Sequence, residues 1–231
     1  MRPEILFPLF APVSTLKGVG PRVAPLLARV AGPIVRDVAF LKPHTIIRRT
    51  PAVLSAARDG EIMTFEVVIE EHQRPRANGQ PWRIRASDPT GWITLVFFGR
   101  FGDGLEKRHP VGARRIISGK VADDRFGRQM VHPDYMADPE KAEEIPEVEP
   151  IYPATEGLPA RRVRTFVLEA LARTPDLPEW QDPAFLARER FPAWREALGR
   201  MHAPEGEADL SPLTPHMRRL AYDELLAHQL A

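Results

Sequence analysis

The sequence predicts an α+β fold, and the changes of hydrophobic period along the chain are what predict it. Apolar residues recur at helical spacing over residues 12–60 and again over 159–231, whereas between 61 and 136 they alternate with period two. The stretch 137–153 is acidic and has neither period. Four segments follow from this: a helical region (1–60), a strand domain (61–136), an acidic extended linker (137–153) and a helical connector (154–231).

In the first segment, "PVSTLKGVGPRVAPLLARVAG" places Val13, Leu16, Val19, Val23, Leu26, Leu27 and Val30 at helical spacings, interrupted by Gly18-Val19-Gly20. The expectation is a helix, a glycine turn and a second helix with Pro21 in its first turn, where the missing N–H has no intrahelical partner to lose. "IVRDVAFLKP" adds a short helix with Val35, Val38, Ala39 and Leu41 on its apolar side, closed by Pro43.

Five strand candidates follow: "IMTFEVVIEEH" (62–72), "PWRIRASD" (81–88), "GWITLVFFG" (91–99), "RRIISGKVA" (114–122) and "GRQMVHPDY" (127–135). Turn residues separate them at 77–79, 88–91 and 123–127, and "RFGDGLEKRHPVG" between the third and fourth is long enough for one short helix. Five short strands with an insert after the third match the partly open Greek-key barrel called the OB-fold, whose second and third strands and two of whose loops face the ligand.

"ADPEKAEEIPEVEPIYP" is punctuated by proline and reads as a linker extended along a surface. Beyond it, Val163, Phe166, Val167, Ala170 and Leu171 give residues 159–173 an amphipathic helix. Residues 182–202 form a further helical stretch that Pro192 kinks or breaks. The last helix starts from Thr214 as N-cap with Pro215 at its first position and carries no stop signal, so more chain is expected to follow.

Composition narrows the function. Twenty-five prolines among 231 residues are more than twice the usual ~5% share, yet hydrophobic and charged content is that of folded protein, so the prolines punctuate structure. With no cysteine, a disulfide framework, a thiolate zinc site and a cysteine nucleophile are excluded. Three prolines break "MRPEILFPLFAPVS", which therefore does not read as a secretory signal, and no apolar run approaches the ~20 residues that span a bilayer. The chain is expected to be cytoplasmic, off the membrane and monomeric.

The net charge of +1 hides an asymmetry: residues 1–60 carry +6, 61–135 carry +2, 136–150 carry −5 and 151–231 carry −2. A basic first half suggests a polyanionic partner. Catalytic patterns are missing. No stretch matches the phosphate-binding loop G-x-x-x-x-G-K-[ST], the seven histidines are scattered without metal-site spacing, and no serine lies in a G-x-S-x-G elbow. Asp123-Asp124, followed by Gly127, reads as a hairpin turn. The chain is expected to bind, with no enzymatic activity of its own and no cofactor.

Binding chemistry is present. Gly18-Val19-Gly20, flanked by Lys17 and Arg22, is similar to the hairpin of helix-hairpin-helix modules, where backbone N–H groups meet a phosphate; a plain tight turn is the other reading. Arg74, Arg76, Arg83 and Arg85 surround the first interstrand loop with Trp82 among them, and Arg100, Arg114 and Arg115 add charge. Basic residues interleaved with aromatics suit single strands and junctions, with cations on the backbone and rings on the bases. For Trp82 and Trp92 the alternative is ordinary barrel packing. In "ITLVFFGRF" alternation buries one phenylalanine and turns its neighbour outward, so Phe98 either packs under another segment or stacks on a flat ligand.

"LKGVGPRVAPLLARV", "VRDVAFLKPH", "GWITLVFFGR", "SGKV", "GRQMVHPDY", "IYPATEGLPARRVRTFVLEAL" and "MRRLAYDELLAHQLA" together resemble the N-terminal portion of RecG-type ATP-dependent branched-DNA helicases, in family order and over almost the whole chain. The resemblance implies that the strand domain is the family's wedge. Such a wedge splits replication forks and Holliday junctions in recombination and DNA repair while aromatic side chains stack on unpaired bases. Carried onto this sequence, Phe98 is the stacking residue and Phe101 the second. The family also implies a motor in cis, absent from this chain, with ATP and Mg2+ as the motor's cofactors. A different class of function, an OB-fold protein-interaction module that does not bind nucleic acid, is the alternative.

Overall fold

The computed structural model describes residues 3–99, 104–125 and 127–230. The chain forms two compact units, with Arg48–Glu147 inserted between the two halves, Met1–Ile47 and Val148–Ala231, of the other. This division differs from the one expected from periodicity, which separates a helical start from a helical connector. The reason lies in packing: Leu27, Val35 and Val38 from the first half share one core with Val163, Phe166 and Leu198 from the second.

In the first half, short helices α1 (Phe7–Phe10), α2 (Ala24–Val30) and α3 (Val35–Ala39) lead into strand β1 (Thr45–Arg48). The helix expected before the glycine turn is only a single 3-10 turn, Val13–Thr15. Pro21 lies in the turn itself, and it is Pro25 that occupies the first turn of α2. The glycine turn packs on its own unit: Val19 is buried, Gly18 has φ +81° and a Cβ there would lie 3.7 Å from the Phe166 ring.

The inserted unit contains β2 (Thr50–Pro51), β3 (Ile62–Gln73), β4 (Trp82–Asp88), β5 (Gly91–Phe97), helix α4 (Gly104–Arg108), β6 (Arg114–Asp124), β7 (Gly127–Val131) and β8 (Tyr135–Ala137). Among the described residues its seven strands form one sheet. β3 pairs antiparallel with β4 and β4 with β5; β5 lies parallel to β7; β7 pairs antiparallel with β6, and β6 returns to β3. Five strands thus form a closed circuit of pairings, with β2 added on β3 and β8 on β6. Met63, Phe65, Val67 and Ile69 of β3, Ile84 and Ala86 of β4, Ile93 and Leu95 of β5, and Ile117 and Val121 of β6 alternate into the unit's core.

The second half begins with β9 (Val148–Ile151), which pairs with β1, and continues through α5 (Ala160–Ala172), α6 (Pro183–Glu189), α7 (Trp194–His202) and α8 (Pro215–Leu230). The acidic stretch is therefore not a single extended linker. Residues 139–144 are an exposed 3-10 segment, whereas Glu149, Pro150 and Tyr152 are buried because β9 completes a two-stranded sheet. In α5, Val163, Phe166, Val167 and Ala170 face the core at i, i+3, i+4 and i+7; Trp194, Ala197, Leu198 and Met201 do so in α7. Arg190, with φ +57°, and Pro192 break the stretch between α6 and α7, and α8 starts at Pro215 as its N-cap signal predicts. No helix among the described residues is long and apolar enough to cross a membrane.

The buried stripe of α8 contains Arg219, which is wholly enclosed. Its guanidinium donates to Glu179 at 2.8 and 3.0 Å and to Asp223 at 2.7 Å, and lies 5.2 Å from the Trp180 ring centre. Two carboxylates compensate one buried cation, and the guanidinium holds the Glu179 carboxyl below the usual carboxylate range by hydrogen bonding to it.

Candidate nucleic-acid interface

β5 settles the phenylalanine alternation. Phe97 is 8% exposed and belongs to the core, while Phe98 is 52% exposed. Phe98 is also held in place. Its N–H donates to Nε2 of His132 at 3.1 Å, and the His132 ring stands 6.0 Å from both the Phe97 and Phe98 ring centres. The His132 N–H donates to the Val96 carbonyl at 2.8 Å. To make these contacts His132 adopts φ +48°, a left-handed conformation uncommon for a residue with a side chain.

Residues of the neighbouring strands flank the part of β5 that precedes this ring. Arg83 stands opposite Val96 and Arg85 opposite Thr94 on the β4–β5 ladder, while Gln129 and Val131 stand opposite Thr94 and Val96 on the β5–β7 ladder. Arg76, Arg83 and Arg85 are exposed and enter no ion pair among the described residues. Arg83 and Arg85 on β4 and Arg76 in the loop before it are suited to a polyanion, although Glu71 stands opposite Arg85 on the β3–β4 ladder.

Other residues expected at the interface are otherwise engaged. Trp82 is 5% exposed, so its ring is part of the core and is not available for stacking on a base. Strand parity is the reason, since Trp82 shares the inward side of β4 with Ile84 and Ala86. The Trp82 Nε1–H donates to Nδ1 of His72 at 3.0 Å, and His72 Nε2–H in turn donates to the His109 carbonyl at 2.7 Å. Arg115 is a structural residue. Nε donates to Nδ1 of His109 at 3.1 Å, and the terminal nitrogens reach the Arg114 and Arg108 carbonyls at 2.7 Å each and Asp138 at 2.8 Å. Burial pushes His109 down to about 4, with Arg115 and Arg108 adding to the effect, so His109 accepts from Arg115 as a neutral ring.

Arg74 and Arg114 are exposed but paired, with Glu106 and Glu66 respectively, and Arg74 also lies over the Trp82 ring at 5.5 Å. Arg100 and Phe101 lie outside the described residues. Lys17, Gly18, Gly20 and Arg22 belong to the other unit. There the Lys17 N–H donates to Glu169 at 2.6 Å and the Val19 N–H to the Leu16 carbonyl at 3.1 Å, which removes two of the hairpin's amides from the role expected for them. The Lys17 and Arg22 side chains remain exposed.

His132 and Trp92 are not among the binding residues expected from the sequence, where Trp92 is weighed against ordinary barrel packing. His132 carries no motif. Trp92, 43% exposed, shares its strand parity with Phe98, and the Arg85 guanidinium lies 5.1 Å from its ring centre. That shared parity was the available signal.

No family model matches the chain. It is 30% identical over 224 residues to ATP-dependent DNA helicase RecG of Acidithiobacillus ferridurans, a match covering 95% of this chain and 32% of the relative. It is likewise 30% identical over 230 residues to ATP-dependent DNA helicase RecG of Haemophilus influenzae, covering 95% of this chain and 33% of that one. Among solved structures, RecG bound to a three-way DNA junction superposes with a TM-score of 0.75 at 21% identity, covering 95% of this chain and 30% of that chain, and shows the same fold. The chain spans about a third of the length of the curated relatives it matches. Over 95% of its own length it is homologous to the RecG helicases.

Proposed function

We propose that the Arg48–Glu147 unit is a five-stranded OB-type barrel serving as the wedge of a RecG-type helicase, and that it binds and separates the strands of branched DNA. The closed circuit of pairings and the parallel step from β5 to β7 support the barrel. Homology to proteins named as DNA helicases supports the partner. One observation supports the placement of the site: Phe98 is half exposed and anchored by His132, one residue past a strand whose β4 neighbours include the exposed Arg83 and Arg85.

On this reading Phe98 caps the last pair of a parted duplex while Arg76, Arg83 and Arg85 meet phosphates. Leaving a large ring in water forgoes about 1.5–3 kcal/mol of burial, and a stacked base is worth about 1–3 kcal/mol, so a visiting base offsets the exposure. The chain acts as a monomer in the cytoplasm, in cis with a motor corresponding to the part of the relatives it does not span. ATP and Mg2+ belong to that motor. The sequence carries no G-x-x-x-x-G-K-[ST] loop that would hold the nucleotide's phosphates.

The test is binding of a model fork and of a plain duplex at several salt concentrations. Phe98→Ala is expected to weaken fork binding by about 1–3 kcal/mol and leave duplex binding alone. Arg83→Ala with Arg85→Ala should flatten the slope of log affinity against log salt by about 1.4–1.8. Salt-insensitive binding, or an unchanged fork preference in a folded Phe98→Ala chain, would assign the exposed ring to a protein partner instead.

A further inference from the structure

The tryptophan at the start of β5 has no role in holding the core together. Trp92 is absent from the unit's core cluster and 43% exposed, although a large ring is costly to leave in water. Its position is nevertheless fixed. Gly127, at φ +103°, lies against the ring so closely that a Cβ there would fall 2.6 Å from a ring carbon. The Arg85 guanidinium lies 5.1 Å from the ring centre, within range of a cation–π contact. A rigid aromatic surface beside a cation that enters no ion pair among the described residues, although Glu71 stands opposite it on the β3–β4 ladder, suits a flat, anionic ligand.

Trp92, Thr94 and Val96 share the outer parity of β5, which ends at Phe97, and Phe98 follows one residue beyond it, so Trp92 and Phe98 end a row about 20 Å long in which Val96 is itself buried. Thr94 and Val96 lie between them, with Arg83 and Arg85 on one flank and Gln129 and Val131 on the other. The flank carries positive charge and the row ends in rings. At roughly 3.4 Å per stacked nucleotide the row accommodates about six nucleotides, and fewer if the strand is stretched, which lies within the range of OB-type sites.

We infer that Trp92 is a second base-stacking residue and that, with Arg83, Arg85 and Phe98, it forms a track for single-stranded DNA along the outer side of β5, an inference that rests on the DNA-binding reading above. Phe98 marks the point where strands part, and Trp92 receives one of the parted strands several nucleotides further on. Charge complementarity selects the occupant: the flanking arginines favour a phosphate backbone over an apolar protein segment.

Tryptophan emission reads this directly. The 231-residue chain is titrated with oligothymidylate about twelve nucleotides long, within the site sizes of such folds. Emission is expected to fall, to fall equally in Trp180→Phe, whose indole is also exposed, and to stay level in Trp92→Phe, which keeps a flat ring and binds within about twofold of the unaltered chain. Trp92→Ala, checked for an unchanged melting profile, should weaken oligothymidylate binding about tenfold and leave duplex binding unaltered. Binding without any change in Trp92 emission, or undiminished affinity in Trp92→Ala, would reduce the ring to a cover for the turn at Gly127. If Phe98→Ala loses its fork preference while Trp92→Ala binds normally, the wedge reading stands and the track is refuted. If the unaltered chain binds neither fork nor oligothymidylate, both are refuted.

Discussion

Acid should destabilise the Met1–Ile47 and Val148–Ala231 unit through one histidine. His202, on α7, is buried, with its Nδ1 accepting from the Tyr152 hydroxyl at 2.8 Å and its Nε2–H donating to the Ala39 carbonyl at 2.8 Å. The Tyr152 ring stacks on it at 5.8 Å, and burial pushes the tyrosine hydroxyl up, so that hydroxyl remains a donor. Burial also pushes His202 down to about 4, against an ordinary value near 6.5. Between those two values the unfolded chain holds a proton that the folded chain refuses. The unfolded state therefore binds more protons in this window, and stability rises with pH across it. At 1.36 kcal/mol per unit, about 3 kcal/mol is present above pH ~6.5 and lost on acidification to about pH 4. Urea unfolding followed by circular dichroism at about pH 7, 6, 5 and 4.5 measures the loss. The control is His202→Gln, which can still accept from Tyr152 and donate to Ala39 but has no proton to gain. Its stability should fall less than that of the unaltered chain over the same interval. Parallel pH profiles for the two would refute the reasoning, because the ring would then take its proton in the folded state at no cost.

Two further outcomes follow from buried or strained contacts. Arg219→Met should cost about 3–5 kcal/mol, nearer the lower figure because Glu179 retains some contact with water, and urea denaturation would detect it; an unchanged midpoint would mean the ion cluster contributes nothing net. His132→Gly keeps a backbone free to adopt φ +48° while removing the acceptor for the Phe98 N–H, so fork preference should drop by part of the Phe98→Ala effect with duplex affinity unchanged. A full wild-type preference in His132→Gly would show that Phe98 needs no such support.

Much of this arrangement was legible because local patterns encode it. Strand alternation in "ITLVFFGRF" places Phe97 inside and Phe98 outside, and the first four period-two runs overlap β3, β4, β5 and β6 while the fifth contains β7 and reaches the first residue of β8. The same rule was available for the tryptophans. Trp82 stands among arginines in sequence and so reads as a binding residue, yet its parity with Ile84 sends it inward, while Trp92 has the parity of Phe98. Composition misled where parity would have corrected it. Pairing of charges is another matter: nothing local distinguishes Arg83, which has no carboxylate partner among the described residues, from Arg115, whose guanidinium is consumed by Asp138, His109 and two carbonyls. Nor does periodicity show that α3 and α7 share a core, since the residues joined by the His202–Ala39 hydrogen bond are 163 positions apart.

Where β1 pairs with β9, the chain leaves one unit and comes back to it on adjacent strands. His44 bonds to Ile151 on this pair, and Arg49 to Glu147 just beyond it, so exit and re-entry are separated by little more than one ladder spacing. Such a junction requires of the inserted segment only that its two ends lie side by side. The host pays in return, since neither of its halves has a complete interior until the polypeptide has travelled through the guest and closed the loop.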